Sequence, residues 1–166
     1  MPASDVPGEQ ASPTQPFPVK PEPLTQNTLS RDNLYKGESE HQAYCEQLVD
    51  DNDMKLGGPY MPITPNRYSM SPPGSAGGIN FWGPAYDPDL NLFISNTTNM
   101  FQPMRLIQRP NGSWVNQGPL AGVRRFGDPD RRLLCGPTPW GELVAVNMAT
   151  GDIAYRKTLG VQVQAA

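Results

Sequence analysis

A 166-residue chain with 20 Pro, 16 Gly and a charged fraction of only 17% carries too much turn chemistry for a helical bundle and too little charge for a polymer held open by repulsion. Its net charge of −3 and pI near 5.1 give no electrostatic footing for nucleic acid. Two cysteines far apart, Cys45 and Cys135, form no CxxC or metal spacing. A long-range disulfide between them is possible in an oxidising compartment and is left open here.

From Met1 to about Leu29 the chain is proline-punctuated, with Pro13, Pro16, Pro18, Pro21 and Pro23 excluding helix and central strand. It reads as a disordered leader or as an extended strap on a larger body. The segment lacks a basic n-region and an apolar core, so no signal peptide is read, and no stretch is apolar enough to span a bilayer. As written, the chain is expected to stay in the cytoplasm.

Helix is predicted over Ser39–Asp51, SEHQAYCEQLVDD, capped by Ser39, with Ala43, Tyr44, Cys45, Leu48 and Val49 on its apolar side. His41 and Cys45 stand i, i+4 on one face, a spacing that suits a metal pair. With no third or fourth ligand nearby in sequence, packing is the reading preferred. The Gly57–Gly78 stretch reads as one long loop.

Strands follow. NLFISNT (Asn91–Thr97) is entered through a turn at Asp87-Pro88, and Met104–Gln117 reads as a hairpin around Pro110-Asn111-Gly112, since Asn-Gly tolerates positive φ. Arg124, Arg125, Arg131 and Arg132 are interrupted by Asp128 and Asp130, so that stretch reads as a solvated mixed-charge loop. The sequons at Asn96 and Asn111 are discounted as chance triplets. Near the C-terminus, WGELVAVNMATGDIAY (Trp140–Tyr155) reads as two strands about a Thr150-Gly151 turn, with the Asn147 side chain bonding turn amides. Asp87, Asp128 and Asp152 all sit in turn contexts and read as turn-capping or solvated carboxylates. Short strands with turns at short intervals suggest all-β blades or part of a barrel.

Several of these segments together carry a resemblance. The run A-V-N-M-A-T-G-D-I-A-Y resembles the tryptophan-docking motif of quinoprotein propellers at Ala145, Thr150 and Gly151, with Asn147 and Tyr155 replacing its Asp and Trp. Cys135–Val146, Gly77–Asn96 and Ser4–Leu24 resemble, in the same order, segments of pyrroloquinoline-quinone (PQQ) dehydrogenases, closest to the membrane glucose dehydrogenase type. The Leu120–Gly141 run departs from that pattern in being arginine-rich.

The resemblance implies an all-β fold: about two blades of an eight-bladed propeller, with a strap over 1–36, a helix and loop over 37–79, and partial propeller over 80–166. It implies PQQ and Ca²⁺ as cofactors, their sites mostly outside this chain, and a sugar or polyol substrate such as glucose. The parent would work at the periplasmic face of the inner membrane and pass electrons to ubiquinone or a cytochrome. By resemblance Asn96, at the end of its strand, occupies the position of an Asn that contacts the quinone end of PQQ. No catalytic base and no metal ligand is assigned, and Trp82 and Trp140 are read as packing residues. The chain alone is expected to be inactive, with a non-catalytic binding module or a subunit of a split propeller as alternatives.

Overall fold

The computed structural model describes residues 2–74, 77–79, 83–117 and 126–159. The strap is extended through residue 29, and a 3₁₀ turn at Arg31–Asn33 leads into helix α1, Ser39–Asp51. The bounds are those predicted, but two details differ. Ser39 is the first helical residue and Glu38 takes the cap position without a side-chain cap bond, and Ala43 faces solvent. The buried stripe is His41, Cys45 and Val49, which follow one another at one-turn intervals. Asn52 ends the helix by donating from Nδ2 to the Leu48 carbonyl at 2.9 Å, and Asp53 turns the chain with φ 42°.

Among the described residues nine strands follow: β1 (Ser69–Ser71), β2 (Ala85–Asp87), β3 (Leu92–Thr98), β4 (Gln102–Gln108), β5 (Trp114–Gln117), β6 (Gly127–Asp128), β7 (Leu133–Leu134), β8 (Gly141–Asn147) and β9 (Ile153–Thr158). The supposed long loop thus contains a strand. β1 pairs with β4, and single bridges at Lys55–Ser69 and Pro65–Leu106 tie down its flanks. This backbone finds its partners across the sequence, where no local pattern reports them.

Three antiparallel assemblies result, with strand orders β1-β4-β5, β2-β3-β8-β9 and β6-β7. The second has the four antiparallel strands of a propeller blade. It joins the hairpins β2-β3 and β8-β9 through β3 and β8, paired from Leu92–Asn147 to Thr98–Gly141. The predicted hairpin β4-β5 lies within the connection between those two strands, so the elements do not simply follow one another as consecutive blades.

Among the described residues one turn geometry occurs three times. Asp87 Oδ1 accepts from the amides of Asp89 and Leu90. Asp128 Oδ1 accepts from those of Asp130 and Arg131. Asn147 Oδ1 accepts from those of Ala149 and Thr150. In each, the residue four positions after the acceptor has positive φ: Asn91 51°, Arg132 56° and Gly151 73°. A short carboxylate or amide two residues before unpaired amides is what closes such turns. The three turns join β2 to β3, β6 to β7 and β8 to β9.

The largest apolar cluster lies beside α1 rather than in the four-stranded sheet. Leu29, Leu34, Cys45, Val49, Met54, Tyr68, Met70, Phe101, Phe126 and Cys135 are buried together there. Cys45 and Cys135 are joined by a disulfide, with Cα atoms 5.3 Å apart. The possibility left open in the sequence is therefore realised, and it ties α1 to the segment just after β7.

Candidate functional site

Strand alternation sets what each face of the four-stranded sheet offers. On β3, Ser95 and Thr97 are buried, at 2% and 3% exposure, while Asn96 between them is exposed. Asn96 lies two residues before the end of β3, opposite Leu143, rather than terminating the strand as expected. Among the described residues its side-chain amide has no hydrogen-bond partner, so a donor and an acceptor are presented to the open face.

The opposite face is crossed by the strap. Arg156, paired with Val144, donates from Nη1 to the Leu24 carbonyl at 3.0 Å and from Nη2 to the Pro23 carbonyl at 2.9 Å. It also lies 3.6 Å from the Glu142 carboxylate. Glu142 Oε2 in turn accepts from Asn99 Nδ2 at 3.0 Å. Asn99 is wholly buried. Its Nδ2 also donates to the Pro139 carbonyl at 2.8 Å, and its Oδ1 accepts the Gln26 amide at 2.8 Å. A buried carboxylate needs such partners, since desolvating it alone costs several kcal/mol. Asn99, Glu142 and Arg156 therefore clasp the strap to the sheet. No sequence signal singled them out, because each partner comes from a distant part of the chain.

The Gly77-Gly78 pair of the recognised segment has a steric reason here. The Gly78 carbonyl accepts the Thr98 amide at 2.8 Å, and a Cβ on Gly78 would fall 2.2 Å from Thr25 Cγ2. A larger residue there would have to push the Thr25 side chain aside. The Cys135–Trp140 segment is also structural. Trp140 donates from its indole to the Gly136 carbonyl at 2.9 Å and stacks on Tyr35 with ring centroids 5.8 Å apart, which agrees with packing. Trp82, Arg124 and Arg125 lie outside the described residues. Arg131 pairs with Glu38, Glu40 and Asp128, so that part of the mixed-charge stretch is neutralised internally. Burial, followed by the carboxylates of Asp128 and Asp130, holds the nearby Tyr44 phenol above its ordinary value.

The chemistry of the donor sets bears on the two expected cofactors. Ca²⁺ needs six to eight oxygen ligands. Among the described residues the group that could hold a metal is His41, Cys45 and Cys135, a nitrogen and sulfur set that does not fit it. One oxygen of both Asp87 and Asp128 is already engaged by turn amides. Asn96 fits one polar contact to a quinone oxygen and no more. A cleft of about 560 Å³ lies elsewhere, between α1 and the strap's end. Its guanidinium groups are matched there by Asp50 and Asp53, and it does not include Asn96.

A family model described as PQQ: Glucose/ethanol/alcohol dehydrogenase, beta-propeller domain, matches residues 1–166. The chain belongs to the PQQ-dependent quinoprotein dehydrogenase family. Two curated members of that family align over 95% of this chain. One, 27% identical, is the quinate/shikimate dehydrogenase (quinone) of Acinetobacter baylyi. The other, 26% identical, is a probable quinate dehydrogenase (quinone) of Xanthomonas campestris pv. juglandis. This quinoprotein chain spans about a fifth of the length of these relatives, 21% and 22%. Its antiparallel four-stranded sheet agrees with the propeller class expected from sequence. No described helix is long and apolar enough to cross a membrane.

Proposed function

We propose that this chain is one part of a quinoprotein dehydrogenase that oxidises a hydroxyl group of a cyclic polyol, a quinate-like hydroxy acid rather than glucose, with electrons passing to a quinone. The supporting observation is that both relatives described above, aligned over 95% of the chain, are named for quinate. The sequence expectation of a glucose-type member gains no such support. PQQ, when bound, supplies the two-electron acceptor, and the protein contributes orientation and electrostatics. In this reading Asn96 donates its side-chain N–H to a quinone oxygen, where negative charge grows during reduction. The strap clasp holds the sheet that carries it. Ca²⁺ ligands, the base that accepts the hydroxyl proton, and ubiquinone contacts would be supplied by other parts of the assembled enzyme, at its periplasmic membrane face.

Dye-reduction assays test this at two levels. The chain alone, given PQQ and Ca²⁺, is expected to show no turnover with quinate, shikimate or glucose. The complete parent enzyme is expected to prefer quinate, by kcat/KM, over glucose. A parent that turns over glucose and ignores quinate overturns the substrate assignment. Replacing Asn96 by Ala in the parent should reduce kcat about a hundredfold, the usual cost of one oxyanion donor. Unchanged kinetics would remove Asn96 from the site.

A further inference from the structure

His41, Cys45 and Cys135 are each fully buried, and their potential ligand atoms lie within 4.8 Å of one another. The His41 Nε2 atom stands 3.5 Å from Cys45 Sγ and 3.0 Å from the Leu134 carbonyl oxygen. These spacings approach the edges of a small coordination tetrahedron. With zinc–sulfur bonds of about 2.3 Å and zinc–nitrogen or zinc–oxygen bonds of about 2.0 Å, the S···N edge is about 3.5 Å and the N···O edge about 3.3 Å. In the disulfide form His41 Nε2 donates its proton to the Leu134 carbonyl, while Nδ1 is buried with no hydrogen-bond partner and is free to take a proton instead. In the sequence the His41–Cys45 pair lacked a third ligand, and folding brings Cys135 to it across a separation of 90 residues.

We propose that reduction of the Cys45–Cys135 disulfide turns this cluster into a site for one thiophilic divalent cation of the zinc class. Its ligands are the two thiolates, His41 Nε2 and the Leu134 carbonyl oxygen. The redox step is a two-electron exchange: a dithiol reductant transfers two electrons and two protons, leaves as its own disulfide, and frees two thiols. The cation displaces both thiol protons, and the proton on Nε2 is replaced by one on Nδ1. The sulfurs must separate to about 3.8 Å, the S···S edge of such a tetrahedron, with Cys135 Sγ settling at an S···N edge from His41 Nε2, to which it now lies within 4.8 Å. Soft sulfur donors select zinc-like ions over Ca²⁺ or Mg²⁺. Two mutually exclusive links, a disulfide or a metal, then hold α1 to the same segment.

Cobalt is the probe, because thiolate-to-cobalt charge transfer and tetrahedral d–d absorption report its ligands. The full chain is reduced, freed of reductant without oxygen, and titrated with Co²⁺. Uptake of one equivalent with both absorptions, their loss on adding Zn²⁺, and no uptake by the oxidised chain are expected. His41→Gln should retain the thiolate band, shift the d–d bands and weaken Co²⁺ at least about tenfold, the lower end of what loss of even an outer hydrogen-bond partner costs. Circular dichroism of oxidised His41→Gln, whose disulfide is intact, separates ligand loss from misfolding. If the reduced wild-type chain unfolds, Zn²⁺ should restore its fold. Overturning results are no thiolate–cobalt band in the reduced chain, an unchanged spectrum and affinity in a folded His41→Gln, or an unfolded reduced chain that zinc does not rescue.

Discussion

The helix side of the molecule and the four-stranded sheet are held by different chemistry. Around α1, ten buried residues, among them Phe126, Met70, Val49 and two bridged cysteines, form one apolar cluster. In the sheet, the fully buried side chains Val144 and Ala145 are small. The strap is attached there through Arg156, Glu142 and Asn99, by hydrogen bonds and by ion pairs of Arg156 with Glu22 and Glu142. The recognisable family segments lie in the sheet, its turns and the strap, and of the cluster's residues Cys135 alone falls in one of them. Sequence signature and stability therefore reside in different places, because turns require particular residues and an apolar interior requires mainly volume.

The largest effect should come from the link unique to the helix side. Replacing both Cys45 and Cys135 by Ala removes a cross-link over 90 residues, worth about 4.6 kcal/mol by loop entropy. A denaturant midpoint that hardly moves would break the contrast between the regions. Paired truncations sharpen it. Phe126→Ala should cost about 4 kcal/mol, against about 2 kcal/mol for Val144→Ala in the sheet, both read from denaturation curves. Equal losses would show that the sheet interior matters as much as the cluster.

The sheet's own prediction concerns polar bonds. Asn99→Ala leaves the Gln26 amide without its partner and removes one of the donors to the Pro139 carbonyl and to Glu142, at a cost of about 2 kcal/mol. Limited proteolysis should then cut the strap faster than in the parent chain, and unchanged cleavage would deny the clasp its role. The smallest effect lies at the β8-β9 turn. A hydrogen bond from Lys20, 2.8 Å away, and then one from Thr150, hold the Asp152 carboxyl below its ordinary value. A lowered folded value means the contact stabilises above the unfolded pKa and is lost as acid carries the pH down through the folded one. Lys20→Met should raise the Asp152 value toward the ordinary range in an NMR titration, with little change in stability.

What could be read in advance follows the same division. The bounds of α1, the Asn111-Gly112 hairpin and the Asp87 and Asn147 turns are encoded within a few residues, and each was legible. The Asp128 turn is legible in the same way, and its likeness to the Asp87 turn is written as a second Asp-Pro-Asp. The strand at Ser69–Ser71, the insertion between β3 and β8 and the cluster of His41, Cys45 and Cys135 depend on partners far along the chain. The Asn99 clasp is hidden for a further reason: a lone Asn after a strand looks like any solvent-facing turn residue, and only the fold buries it. Asn96 was selected by resemblance, and the structure adds its open-facing amide.

The insertion of β4-β5 and β6-β7 between β3 and β8 also has a consequence in time. The hairpins β2-β3, β4-β5 and β8-β9 close over short loops and can form within microseconds. The β3-β8 ladder cannot, because the chain must first gather everything from Asn99 to Trp140 into one loop, whose closure entropy precedes any reward from pairing. The strand pair at the centre of the sheet is thus expected to form after these hairpins, and until it does each hairpin presents an unpaired edge to whatever other chain is near.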